Sequence, residues 1–229
     1  MRHTSTTMVA VLAIGSTICV TVRAQEVPVR APNWLREPLP VPHDAAEVKL
    51  GTGYTQGFGN LAPGRGIDHV AGPGVAVGAQ IDYRFNPFWS LGAEGQFQSF
   101  NNAENESARG LAANVGPTFH FQPLLRGHPW LRVATGYRLL WENTPLGIQH
   151  LSVLRHGFEP ISAKAGYDIR VSRDVAFAPV VGSDLSVFTW QGPANGVSRE
   201  MSSSQVATFL YTGVEGRFDI GGRFYDQRL

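Results

Sequence analysis

Ile161-Ser162-Ala163-Lys164-Ala165-Gly166-Tyr167-Asp168-Ile169-Arg170-Val171 carries apolar side chains on every odd position and small, polar or charged ones on every even position. In an extended strand that period of two sends the two sets to opposite faces. One face is oil and the other is charge. A half-buried sheet of a soluble protein rarely conceals ionised groups, because an unpaired buried charge costs several kcal/mol. A membrane barrel inverts the layout, with lipid outside and a polar interior.

The pattern recurs along the chain. Strands are expected at Val48 to Gly59, Gly74 to Phe85, Phe88 to Ser99, Arg109 to Phe121, Trp130 to Trp141, Phe158 to Val171, Val175 to Trp190 and Gln205 to Ile220. Eight is an even number, as single-chain bacterial barrels require. Tight turns are expected at Asn86-Pro87 and Ser172-Arg173-Asp174, with a fairly short connection at Gln122 to Pro129. Longer, more polar or glycine-rich loops follow from Asn60 to Pro73, Phe100 to Ala108, Glu142 to Gly157 and Gln191 to Ser204. With the N-terminus in the periplasm, every short turn lies on that side and every long loop outside. The expected fold is therefore all-β, an eight-stranded antiparallel up-and-down transmembrane β-barrel in the bacterial outer membrane. Pro117, Pro160 and Pro179 fall inside strands, where a missing N–H predicts bulges or slightly shifted strand limits.

Residues 1–24 read as a signal peptide: Arg2 and His3 begin it, Met8 to Val22 is mostly apolar, and Val22-Arg23-Ala24 suits cleavage before Gln25. The apolar run is shorter than the ~20 residues that a spanning helix needs. Cys19 lies within it, so the mature chain has no thiol chemistry. Loss of the signal takes the formal charge from +1 to −1, which gives no electrostatic footprint for nucleic acid. Residues 25–47, with five prolines, read as a periplasmic leader, residues 48–220 as the barrel and 221–229 as a C-terminal tail.

Ile81-Asp82-Tyr83-Arg84-Phe85-Asn86-Pro87-Phe88-Trp89 and Gly166 to Asp174, with the topology around them, make the chain similar to the small outer membrane β-barrel superfamily. That superfamily is typified by the membrane domain of outer membrane protein A and its short homologues. The resemblance implies outer membrane lipid and the barrel assembly machinery as partners. Family barrels commonly end the last strand on an aromatic residue; here Phe218 and Ile220 occupy that position, and Phe224 is a substitute.

Parity places Asp82, Glu94, Arg132, Arg138, Lys164, Asp168, Asp184, Glu215 and Arg217 inside. Glu94, Arg138, Lys164, Asp184 and Glu215 fall near mid-height as an interior charge network, with Arg138 and Glu94 as possible partners. Tyr83, Phe85, Trp89, Phe119, Phe121, Trp130, Tyr167, Phe177 and Phe218 are expected to form a girdle at the periplasmic interface, with Phe58, Phe97, Trp141 and Phe158 as a sparser upper belt. The expected function is non-enzymatic: a polar, plugged barrel with exposed outer loops in a structural or surface-interaction role. A narrow pore or small apolar ligand transporter is one alternative. A lipid A acyl hydrolase is the other, because His150-Leu151-Ser152 has the His-x-Ser spacing of barrel-shaped deacylases and Glu159 supplies a third group. No cofactor or metal constellation stands out; His120, His128, His150 and His156 read as scattered, solvated or interfacial residues.

Overall fold

The computed structural model describes residues 33–39, 41–62, 65–101, 107–146 and 149–223, with side chains left out at 62, 65, 107, 144–146 and 149–151. The signal peptide, residues 25–32 of the leader and residues 224–229, Phe224 among them, lie outside the described residues.

Among the described residues nine strands follow in order: β1 (Ala45–Ala62), β2 (Arg65–Gly66), β3 (Gly74–Arg84), β4 (Trp89–Asn101), β5 (Ser107–His120), β6 (Gly127–Leu146), β7 (Gln149–Arg170), β8 (Val175–Pro193) and β9 (Arg199–Ile220). The two-residue β2 hangs on the outer end of β1. The other eight pair antiparallel in sequence order, and β1 closes on β9 from Ala46–Ile220 to Gly59–Ala207. Following paired residues from Ala45 through Arg84, Ser90, Thr118, Arg132, Lys164, Gly182 and Tyr211 returns to β1 at Thr55, ten residues further along. That stagger tilts the strands by about 35–45° and leaves an interior that side chains can fill.

Closure demands close approach at the seam. Gly53 and Gly213 face each other across β1 and β9, and a Cβ on either would collide with the opposite backbone.

Val77, Ile81, Leu91, Val115, Val133, Val181, Leu210 and Val214 are exposed on the outer wall, an apolar surface suited to contact with lipid. Val181→Arg, in the middle of this band, is expected to lower refolding free energy by about 2–4 kcal/mol, while Ile220→Arg at the periplasmic end lowers it by about 0–1 kcal/mol. Denaturant titration of refolding into lipid vesicles measures both. Equal losses at the two depths would contradict the membrane assignment.

The outer ends of the strands extend beyond the sequence expectation. β6 runs through Leu146 and β7 starts at Gln149, so Glu142 to Gly157 is a long hairpin and not a loop. β8 reaches Pro193 and β9 starts at Arg199, shortening the Gln191 to Ser204 loop in the same way. Above the membrane no lipid selects an apolar face, so the oil-and-charge contrast fades while the ladder continues. Cross-strand pairs hold it: Arg155 bonds to Glu142, and Ser152 Oγ donates to Asn143 Oδ1 at 2.7 Å.

Of the three prolines, Pro160 makes the expected bulge. Between Phe158 and Ile161, β7 carries one extra residue relative to both β6 and β8. As a result Phe158 and Ile161 both face outward while Glu159 is buried inside. Pro117 and Pro179 do not form bulges. Each keeps one neighbour, Leu91 and Val214 respectively. On the other side the ladder skips from Val115–Thr135 to Thr118–Arg132, and from Gly166–Val180 to Ile169–Phe177, in unchanged register. The missing N–H is absorbed as a gap in pairing.

Both ends of the lumen are covered. At the periplasmic end, a short 3-10 turn (Asn33–Arg36) leads to Pro38, which bridges Leu125, and Leu39 N–H donates to Leu124 O at 3.0 Å. His43 then pairs with Arg223, on the β1–β9 side of the barrel. The β5–β6 turn and the β1–β9 seam are opposite in the ring, so the leader crosses the mouth as a strap, with Val41 fully buried between its anchors. At the outer end, a second 3-10 turn (Ile67–His69) brings Ile67, Val70 and Ala71 against inward-facing Leu61, Phe100, Leu140, Phe188 and Phe209.

Candidate functional site: the charged lumen

The five charges read from the sequence as a mid-height network are all buried, and they fall into two groups. Lys164 bonds to Glu94 and, at 3.0 Å, to Glu215, with its ammonium 5.2 Å from the centre of the Tyr211 ring. Arg138 spreads its guanidinium over three acceptors: Nε to Glu159 Oε2 at 2.7 Å, Nη2 to Asp184 Oδ2 at 2.6 Å and Nη1 to Gln98 Oε1 at 2.5 Å. Its opposite face lies 4.0 Å over the Phe209 ring, where the charged layer meets the apolar outer cluster. Arg138 and Glu94, which the sequence offers as partners, belong to different groups. The partner missed is Glu159, whose strand parity points outward until the Pro160 bulge turns it in.

Below these groups a chain of alternating charges descends to the periplasmic turns. Glu94 reaches Arg132 at 3.8 Å, Arg132 reaches Asp82 at 3.2 Å, Asp82 reaches Lys49 at 2.7 Å, Lys49 reaches Glu47 at 3.4 Å, and Glu47 bonds to Arg84. Arg217 bonds to Asp168 and reaches Asp219 at 3.4 Å, and Arg170 holds Asp219 at 2.9 Å. Each charge thus has an opposite charge beside it, which is the condition for tolerating ions in a dry interior. Glu47, Lys49, Arg84, Arg170 and Asp219 were absent from the interior set read from the sequence. All share the inward parity of their strands: Lys49, Arg84, Arg170 and Asp219 fall within the expected strands and Glu47 one residue before the first, so carrying the alternation through to the strand ends finds them.

Two sequence expectations are corrected here. Trp130 is 3% exposed and faces the lumen, where its Nε1–H donates to Asp168 Oδ1 at 3.0 Å, so it is not part of the periplasmic girdle. β6 begins at Gly127, and Trp130 has the parity of Arg132. The other eight, Tyr83, Phe85, Trp89, Phe119, Phe121, Tyr167, Phe177 and Phe218, have outward parity; Trp89, Phe119 and Phe121 pack ring to ring with centroids 4.7 Å apart. Secondly, His120 and His128 are neither scattered nor solvated. They bracket the β5–β6 turn, both are fully buried, and their rings stand 5.7 Å apart beside Asp168.

His156 lies on the outer wall, hydrogen-bonded to the Tyr137 hydroxyl at 2.5 Å and stacked on Trp190 at 5.5 Å, next to Phe158 in the upper belt. The side chain of His150 lies outside the described residues. Ser152 and Glu159 stand seven residues apart on β7, roughly 23 Å at strand rise. Ser152 donates to Asn143, while Glu159 faces the lumen.

No protein-family model and no curated protein matches the sequence. Among solved structures, the chain is similar to Neisserial surface protein A, with a TM-score of 0.55 and 10% identity over 76% of this chain and 96% of that one. It also matches the outer membrane protein OprG of Pseudomonas aeruginosa, at TM-score 0.45, 10% identity, and 77% and 98% coverage. Ail of Yersinia pestis matches at TM-score 0.42, 14% identity, and 77% and 99% coverage. The first of these likenesses shows the fold, that of the small eight-stranded outer membrane β-barrels. The closed ring, apolar wall and charged interior locate the protein in the bacterial outer membrane, where barrels of this inside-out layout span lipid.

Proposed function

We propose that the protein is a non-enzymatic outer membrane barrel whose sealed interior makes it a rigid pillar for its outer hairpins, which carry a structural or surface-interaction role. The observation that supports this reading is the continuous filling of the lumen: strap and Val41 below, paired charges along the middle, and the inturned Ile67–Ala71 segment above. A narrow pore needs a connected wet path, and an eight-stranded interior packed with paired side chains leaves little room for one. The deacylase alternative draws little support from β7, since Ser152 is engaged with Asn143 and Glu159 is bound by Arg138.

The hairpins β6–β7 and β8–β9 are built for presentation. Their four strands, of 19–22 residues, are the longest of the barrel among the described residues, and the β6–β7 pairing continues past Asn143, which faces Ser107 at the outer end of β5. Planar bilayer recording of the refolded protein is the direct test. The expected result is no stepwise conductance. Steady conductance in the wild-type protein would overturn the sealed-pillar reading in favour of a pore, and acyl release from lipopolysaccharide would overturn it in favour of an enzyme.

A further inference from the structure

We infer that His120, His128 and Asp168 form a binding site for a divalent transition metal of the zinc class at the periplasmic end of the lumen. The three side chains come from the end of β5, the start of β6 and the lower part of β7, and their donor atoms lie within 4.8 Å of one another. His128 Nε2 is 3.2 Å and His120 Nδ1 is 3.9 Å from the same oxygen, Asp168 Oδ2. Two ligands bound at 2.0–2.1 Å to a tetrahedral ion stand roughly 3.3 Å apart, so these spacings fit such an ion after a small inward shift of His120.

The hydrogen bonds around the cluster orient the ligands. His128 Nδ1 faces the carbonyl of Leu125 at 3.2 Å; a carbonyl only accepts, so Nδ1 carries the ring proton. In the neutral ring, Nε2 then presents a lone pair toward a carboxylate oxygen, a contact relieved either by a second ring proton or by a metal ion between the two. Neither His128 Nε2 nor His120 Nδ1 has a hydrogen-bond partner, although both are buried. Asp168 is held by Trp130 through Oδ1, leaving Oδ2 toward the histidines. A backbone carbonyl behind one ligand and an indole N–H behind another are the outer-shell contacts that fix metal ligands in place.

Two cations border the site and set its terms. Arg217 shares Asp168 Oδ2 and must yield that oxygen; it also reaches Asp219 at 3.4 Å, which gives it a second carboxylate. Arg84 Nη2 donates to His120 Nε2 at 3.1 Å, so the proton of that ring is on Nδ1. Metal binding at Nδ1 takes neutral imidazole, so the ring proton moves to Nε2 and Arg84 Nη2 must turn away from the ring, while its contacts to Glu47 and the Pro87 carbonyl remain. An ion here would tie β5, β6 and β7 together beside the turn on which the strap rests, since Leu125 both orients His128 and bridges Pro38.

Tag-free, full mature chain refolded into detergent micelles with Co2+, and separately exposed to Co2+ after refolding, tests the site. The expected result is about one retained Co2+ per chain with the visible absorption of a four-coordinate ion, displaced by Zn2+ with loss of colour. His128→Gln and His120→Gln should each abolish the absorption, while Trp130→Phe should weaken Zn2+ binding about 10- to 100-fold. His156→Gln, on the outer wall, should leave binding unchanged. Wild-type protein that retains no Co2+ under either protocol would overturn the inference, whatever the variants do. So would full binding by the His120→Gln, His128→Gln double variant, which would place the ion elsewhere. A refolded protein without Co2+ in which NMR shows His128 protonated on both nitrogens would assign the contact to a plain imidazolium–carboxylate pair.

Discussion

Arg138→Ala is expected to lower the free energy of refolding by about 3–5 kcal/mol, among the largest effects of any single substitution in the barrel. The guanidinium is fully buried and answers Glu159, Asp184 and Gln98 at once. Its removal leaves two carboxylates facing each other in a space that water reaches poorly, and also strips the cation from the face of Phe209. The partner test is specific. Glu159→Gln in the Arg138→Ala background should restore part of the loss, because an amide left without its cation is far less costly than a carboxylate. Glu94→Gln should restore nothing, since Glu94 is held by Lys164 and Arg132. Refolding from urea into micelles, read by tryptophan fluorescence and heat-modifiable gel mobility, supplies the double-mutant cycle. A larger coupling to Glu94 than to Glu159 would show that the two charge groups are one.

The contrast between Glu94 and Glu159 shows what the sequence could and could not disclose. Period-two alternation is a local property, and wherever a strand is regular it assigns faces well: Asp82, Glu94, Arg132, Lys164, Asp168, Asp184, Glu215 and Arg217 are all buried. It fails where one residue is added. The Pro160 bulge reverses the parity of β7, so Glu159, outward by parity counted back from Ile161, becomes the principal partner of Arg138. Proline marks the danger without deciding it, because Pro117 and Pro179 pass through with register intact. Pair identity is a second limit. Tilt carries a strand's neighbours up the barrel by ten residues per circuit, so charges at similar positions along different strands are not at the same place around the lumen.

The histidine cluster was hidden for a related reason. His120 and His128 flank a connection that reads as a loop, and loop residues are ordinarily solvated. The strap lies beneath that connection and Asp168 comes from a third strand, so the burial of both rings depends on segments far away in sequence. The apolar cluster at the outer end was equally invisible: Ile67, Val70 and Ala71 show no strand periodicity, and only the turn at Ile67–His69 directs them inward.

Lys164→Met is the companion to the Arg138 test, with a loss of about 3–5 kcal/mol expected on the same measurement. The two carboxylates it leaves are not equivalent, and their difference makes the prediction sharp. Glu94 retains Arg132 at 3.8 Å, whereas the ion pair of Glu215 is with Lys164 and its Oε2 already lacks a hydrogen-bond partner. Glu215→Gln should therefore rescue Lys164→Met more than Glu94→Gln does. The triple variant, Lys164→Met with both glutamines, should approach wild-type stability, since replacing a whole buried ion group with neutral side chains of similar volume is often neutral. Conductance should stay absent throughout, because methionine fills the volume of lysine beside Tyr211. If Lys164→Met folds with wild-type stability and opens a conducting path, the ions are watered and the middle of the lumen is a gate. If Glu94→Gln is the stronger rescuer, Arg132 does not share its charge with Glu94, and the descending chain of alternating charges is broken at that link.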